Sequence, residues 1–261
     1  MTDNLARVLG FGHGYRITPR FACLNYHNIG DKDDQYTVSR AQMHAQMSLL
    51  REEGYTVEGF EELQHRLESK HGVPSRYVVL TLDDGLASAM LAADCLGQHG
   101  FKATFFVIRD SCLNKPGFIR EREIRELRQR GFSLGTHGTT HRKLTRIPVE
   151  QCRDELASSR SWLEDVLGEP VRFTAAPGGF INALVMRLAA EQRYLLVGTC
   201  HEWMNDFPRE PRMPLKVNRV NIRRYFPNAA FRNIVEGHSR FYVRRQLRSA
   251  ALWLPKQLMP A

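Results

Sequence analysis

The 261-residue sequence predicts a single α/β domain wound as a TIM-like (β/α) barrel. Three observations carry that expectation. Strand-like and helix-like segments alternate about seven times without a break in composition, as parallel α/β folds require. Tyr77 to Leu82 (YVVLTL) is β-branched and nearly all apolar, the pattern of a parallel strand covered on both faces. No G-x-G-x-x-G or G-x-x-x-x-G-K-[ST] follows any strand-like run, which weakens nucleotide-binding readings.

The elements follow in order. Phe21 to His27 is a short apolar strand, and Ala41 to Gly54 carries Met43, Met47 and Leu50 at helical spacing before a glycine stop. After the strand Tyr77 to Leu82 comes a helix over 86–100, a strand over 102–108 and a charged helix over 119–131. Phe132 to Thr136 is a strand and Val149 to Gly168 a long amphipathic helix. Strands at 171–176 and 195–199 flank a helix over 181–194, and Val217 to Ile222 is a further strand. Gly10 to Gly14 (GFGHG) is read as a loop, because no clear helix follows it.

The composition, 43% hydrophobic and 25% charged, belongs to an ordinary globular chain rather than a disordered or fibrous one. No apolar run approaches the roughly 20 residues of a membrane span. Arg7, Arg16 and Arg20 interrupt any secretory core, so a cytoplasmic protein is expected. Cys23, Cys95, Cys112, Cys152 and Cys200 include no C-x-x-C pair, which argues against a disulfide framework and a thiolate zinc site. The net charge of +9 is unevenly spread. Residues 209–261 hold 12 basic and 2 acidic side chains, whereas the preceding 208 residues are nearly neutral.

Catalytic side chains of such barrels sit where strands end. YVVLTL runs directly into Asp83-Asp84-Gly85, and two carboxylates after a buried strand need a metal or a proton to compensate them. A helix N-cap is the competing explanation for Asp84. His137-Gly138-Thr139-Thr140-His141 follows the next-but-one strand. Two imidazoles and a carboxylate are the donor types of hydrolytic zinc sites with one open position, although two unrelated histidines would look the same.

The order TLDDG, HGTTH and AAPGG (residues 81–85, 137–141 and 175–179) resembles the first three motifs of the polysaccharide deacetylase family, the NodB-homology or carbohydrate esterase 4 proteins. Leu24 to Ile29 (LNYHNI) and Lys102 to Val107 (KATFFV) support the likeness, which runs over 20–225. It implies a distorted NodB-type barrel between an N-terminal segment, 1–19, and a basic helical region, 226–261. It further implies an N- or O-deacetylase with one divalent ion, zinc first and cobalt, nickel or manganese as alternatives. By position, Asp83 is similar to the family's catalytic base, and Asp84, His137 and His141 to its metal ligands. Pro177, Gly178 and Gly179 would supply an oxyanion donor, and Asn182 would contact sugar or cap the following helix.

Two departures stand out. The family's third motif places an arginine two residues before the proline, where this chain has Ala175, with Arg172 further back. No late Leu-His motif follows residue 200, and His201 and His238 are read as surface residues. LNYHNI resembles a subgroup with an N-terminal Tyr-His motif, which makes His27 the candidate general acid. The implied substrate is an N-acetylated or N-formylated sugar of a polysaccharide or of a biosynthetic intermediate, lipid-linked in one version. The alternatives are a small-molecule amidohydrolase and an inactive carbohydrate-binding relative.

Residues 239–254 read as a basic amphipathic helix, with Val243, Leu247, Ala251 and Leu254 on one face and Arg240, Arg244 and Arg248 on another. It suits either an anionic membrane at the inner face or a cap on the barrel. No nucleic-acid-reading motif accompanies the charge.

Overall fold

A computed structural model describes residues 20–69 and 72–253. The GFGHG loop and the proposed segment 1–19 lie outside the described residues, as does Leu254. Twelve strands are present among the described residues: β1 (Arg20–Tyr26), β2 (Asn28–Ile29), β3 (Thr37–Val38), β4 (Thr56–Glu58), β5 (Tyr77–Leu82) and β6 (Thr104–Val107) in the first half, and β7 (Ser133–Thr136), β8 (Phe173–Ala175), β9 (Leu196–Gly198), β10 (Asn205–Asp206), β11 (Leu215–Val217) and β12 (Val220–Asn221) in the second.

The wall of the barrel is parallel. β1 pairs with β5, β5 with β6, β6 with β7, β7 with β8, β8 with β9 and β9 with β11. The expected single strand over 217–222 is instead two short strands. β11 bonds to β9, and β12 bonds in parallel to β1 at the opposite edge. Only Asn218 and Arg219 separate β11 from β12, so one bent stretch nearly closes the barrel. Asn205 pins the bend: its Nδ2 donates to Asn218 O at 2.8 Å and its Oδ1 accepts from Asn218 N at 2.8 Å.

Alternation along each strand decides what faces the interior. Phe21 and Cys23, Tyr77 and Val79, Phe106, Phe173 and Ala175, Leu196, and Val217 form one core cluster inside the barrel. The intervening residues, such as Leu24, Val78, Leu80, Phe105 and Leu134, pack outward against the helices. Continuing each inward set by two residues past the strand gives Asn25 and His27, Thr81 and Asp83, His137, Pro177 and Arg219. One mouth of the barrel therefore collects the polar residues. A helix over Phe60–Ser69, not expected from the sequence, adds Phe60, Leu63 and Leu67 to the interior cluster, with the Phe60 ring edge-on to Phe106 at 5.3 Å.

The last helix, Ser239–Trp253, docks by a face other than the expected one. Tyr242 is buried and donates to Ile234 O at 2.8 Å, and Arg245 pairs with Glu202. Val243 and Leu247 remain exposed, at 46% and 65%. The basic C-terminal part is not a free appendage either. Arg219 pairs with Asp83, Arg224 with Asp33 and Arg232 with Glu53, so much of its charge is matched by carboxylates of the barrel.

Candidate active site

Asp83 and Asp84 leave β5 in opposite senses and are reunited by the backbone. Asp84 adopts φ 75°, a left-handed conformation that costs a non-glycine residue roughly 1–3 kcal/mol. His141 does the same at φ 66°. Asp84, His141 and Arg193 are the non-glycine residues with positive φ among the described residues. Both turns bend a side chain back over the mouth: Asp84 Oδ1 lies 3.6 Å from His137 Nε2 and 3.6 Å from His141 Nε2, and the two imidazole nitrogens are 3.2 Å apart.

These three edges test the implied ion. A tetrahedral zinc with bonds of about 2.0–2.2 Å separates its nitrogen and oxygen ligands by about 3.3–3.5 Å. The edges of 3.6, 3.6 and 3.2 Å come within about 0.1 Å of that spacing, so small side-chain shifts would seat the ion. The tautomers fit as well: His137 Nδ1 lies 2.8 Å from Ala175 O, and its proton on that side leaves the Nε2 lone pair for a metal. The His141 imidazole is biased toward its neutral, ligating form. Burial lowers its pKa and His137 adds to this, against the opposing pull of Asp84. The loop carrying both histidines is anchored by Glu155, a buried carboxylate on the helix Val149–Leu167. It accepts from Thr139 N at 2.8 Å and Thr140 N at 2.9 Å, and from the Thr140 hydroxyl.

Asp83 lies beside this triangle, its Oδ2 3.8 Å from His137 Nε2, but is engaged by other partners. Arg219 is fully buried, and its Nη1 and Nη2 donate to Asp83 Oδ1 and Oδ2 at 2.7 and 2.8 Å. Asn25 Nδ2 donates to Oδ2 at 2.9 Å, and Asn221 and Thr81 complete the network through Asn25. Burial pushes the Asp83 carboxyl up, but Arg219, then His137, outweigh it and hold the group well below the usual carboxylate range. Arg219 also donates from Nε to Thr199 O at 2.9 Å and lies over the Phe106 ring at 5.4 Å. Gly198 makes room for it, since a Cβ there would come within 2.8 Å of Arg219 Nε. Arg219 was not singled out in the sequence. It reaches Asp83 from the bend between β11 and β12, whereas Arg172 is exposed.

The other candidates fall as follows. His27 continues the inward face of β1 close enough for its ionisation to feel Asp83, Asp84 and His137. Burial lowers its pKa, the two carboxylates oppose that, and its Nδ1 is buried with no hydrogen-bond partner. Its ring lies 4.9 Å from that of Tyr36. Pro177 packs beside the histidine loop, with its Cγ 3.4 Å from where a Cβ on Gly138 would sit. Gly179 N–H is committed to Ala176 O at 2.7 Å, so an oxyanion donor from this turn has to be a neighbouring N–H. Asn182 caps the helix Ala183–Glu191, its Oδ1 accepting from Val185 N at 2.9 Å. His201 and His238 are exposed, and Trp203 packs edge-on against Tyr242 at 5.7 Å.

With the geometry in view, similar proteins can be compared. Residues 70–197 match the family model described as polysaccharide deacetylase. A Bacillus cereus peptidoglycan-N-acetylglucosamine deacetylase is 27% identical over 131 residues, covering 49% of this chain and 44% of that protein. The crystal structure of a Bacillus cereus polysaccharide deacetylase superposes with a TM-score of 0.71 at 27% identity, covering 84% of this chain and 69% of that one. The Streptococcus pyogenes deacetylase PplD, solved in complex with acetate, shares the fold with a TM-score of 0.75 at 22% identity, covering 84% of this chain and 98% of that one. The matched stretches span 61%, 44% and 23% of three curated relatives, which are longer proteins.

Proposed function

The chain belongs to the polysaccharide deacetylase family, and from that premise we propose that it hydrolyses the N-acetyl group of a polysaccharide-type amino sugar with the help of one divalent ion. The observation that carries the reading is the separation of the adjacent carboxylates. Asp84 joins two imidazoles in a metal-sized triangle, while Asp83 is clamped by an arginine outside it.

Asp84, His137 and His141 would hold the ion, zinc by the donor set, with cobalt, nickel or manganese also compatible. When bound, such an ion supplies Lewis acidity toward a water and toward the acyl oxygen. Asp83 takes the proton of the attacking water. A carboxylate has about four lone-pair sites, and Arg219 and Asn25 fill three, which leaves one to take that proton. Its low proton affinity keeps it ionised across the working pH range, so the base is present as the carboxylate although its basicity is reduced. Arg219 fixes the carboxylate's orientation and supplies the positioning expected from the family's missing arginine. His27 delivers a proton to the leaving amine, and a backbone N–H beside Pro177, Gly178 and Gly179 steadies the developing oxyanion. Asn182, at the rim of the same turn, keeps its amide nitrogen for a sugar hydroxyl.

An N-acetylglucosamine-containing polymer or its intermediate is the substrate class, in keeping with the name of the Bacillus cereus relative. The alternative of an inactive carbohydrate binder drew on the missing arginine and the missing late Leu-His motif, and the Arg219–Asp83 pair answers the first of these. The exposed Val243 and Leu247, flanked by the exposed Arg240 and Arg244, would rest on an anionic membrane at its cytoplasmic face. This contact would bring the mouth to a lipid-linked saccharide. No described helix is long and apolar enough to cross a membrane. Acetate and formate release across N-acylated amino sugars and their oligomers, with and without added divalent ion, tests the reaction. Metal-dependent acetate release supports it, and silence on every sugar tried with the ion bound refutes it.

A further inference from the structure

A second group of metal-type donors lies away from the mouth. His44, on the helix Arg40–Glu52, faces Cys95 and His99 on the helix Ala89–His99, and one ligand atom from each falls within 4.8 Å of the others. Cys95 and His99 are four apart on one helix and so share a face. The two helices pack against each other on the outside of the barrel, across β1 and β5.

The local chemistry offers donors to a ligand. His99 Nδ1 is buried without a hydrogen-bond partner, which is costly for a group with no compensating bond. The His44 and His99 rings lie 6.2 Å apart, with His99 stacked on Phe101 at 5.8 Å, which holds its plane. Nearby, His44 and Cys95 line a cavity of about 190 Å³ with Asp94, room enough for an ion and a water.

We propose that His44, Cys95 and His99 form a second metal site, taking a thiolate-tolerant divalent transition ion of the zinc class, with a water from the cavity as fourth ligand. Thiolate sulfur and imidazole nitrogen are both ligand types that zinc takes. The three donor atoms lie within 4.8 Å of one another, and a tetrahedral site would draw them to about 3.4–3.7 Å. On binding, the Cys95 thiol loses its proton to solvent. The ion cross-links the helix that follows the Asp83-Asp84 turn to the helix that follows β3, a structural staple behind the catalytic mouth. The absence of a C-x-x-C pair argued against a thiolate zinc site, but one thiolate suffices when two imidazoles join it.

The full chain, stripped of metal and titrated with cobalt(II), tests this. Sulfur ligation gives a thiolate-to-cobalt charge-transfer band that the sulfur-free Asp84, His137 and His141 site cannot produce. The wild type should take up two equivalents and show the band, and Asp84→Ala should keep the band while losing one equivalent. Cys95→Ser should lose the band and keep the other equivalent. His44→Ala, altering a half-buried side chain, should weaken the band-forming event by at least the roughly 10–100-fold that loss of even an outer partner costs. No band in the wild type, or a band that survives Cys95→Ser, overturns the proposal. Because the band follows Cys95 and not Asp84, the outcome does not depend on the catalytic reading.

Discussion

Arg219 and Asp83 form a two-pronged ion pair, at 2.7 and 2.8 Å, inside the barrel with both side chains withdrawn from solvent. The arginine sits on the bend between β11 and β12, so the stretch that nearly closes the barrel also orients the carboxylate proposed as base.

Arg219→Met leaves Asp83 buried and unpaired, and removing one partner of a buried pair costs about 3–5 kcal/mol. The pH dependence has a definite sign. In the wild type the carboxyl is depressed, so the pair's stabilisation is present above the ordinary carboxylate value and is lost only as pH falls toward the depressed one. In the variant the Arg219 contribution is gone; His137 and His27 still lower the Asp83 carboxyl, but burial now meets weaker opposition and the group rises. The acid limb of kcat/KM should therefore move upward, and the stability deficit, read by urea titration, should shrink as pH is lowered. An unmoved acid limb would show that Arg219 does not tune Asp83.

Glu155→Ala should loosen the loop bearing His137 and His141, because Thr139 N and Thr140 N lose their acceptor. The expected cost is about 1–3 kcal/mol in stability and roughly 10–100-fold in metal affinity. Competition with a chelator reads the second quantity. Wild-type affinity would mean that the loop holds its shape unaided.

His27→Ala should retain the metal and lower kcat by about 10²–10⁴-fold, the contribution of a general acid. A leaving group that needs no protonation, such as the phenolate of an activated acetate ester, should rescue much of the loss. Full activity of the variant on amide substrates would remove His27 from the reaction.

Val243→Glu with Leu247→Glu should abolish pelleting with anionic vesicles and change stability by no more than about 0.5 kcal/mol, since both side chains are exposed. Truncation is the poorer test, because Tyr242 and Arg245 hold the helix to the body. Undiminished pelleting of the double variant would locate membrane contact elsewhere.

Much of the site was legible because strand alternation and the TLDDG and HGTTH segments place Asp83, Asp84, His137 and His141 at strand ends, where a barrel gathers its chemistry. Arg219 was not, although a signal existed: an arginine within the apolar run Val217 to Ile222 has to be paired if that run is buried. What the run does not disclose is its bend, since pairing with β9 on one side and β1 on the other depends on how the barrel comes round. The helix Phe60–Ser69 was missed because its apolar residues, Phe60, Leu63 and Leu67, are sparse and only the interior they fill explains them. The docking face of the last helix was misread for a related reason. Val243 and Leu247 repeat at helical spacing, yet Tyr242 and Arg245 find better partners in Ile234 O and Glu202.

The central claim is that the adjacent carboxylates divide the work, Asp84 holding the ion and Asp83 moving the proton. Metal content and acetate release from an N-acetylglucosamine oligomer, measured side by side on Asp83→Asn and Asp84→Ala, test it most directly. The account expects Asp83→Asn to keep the catalytic ion and lose about 10²–10⁴-fold in kcat, and Asp84→Ala to lose ion and activity together. An Asp83→Asn protein that turns over normally, or an Asp84→Ala protein that still holds its ion through His137 and His141 and works, would contradict it.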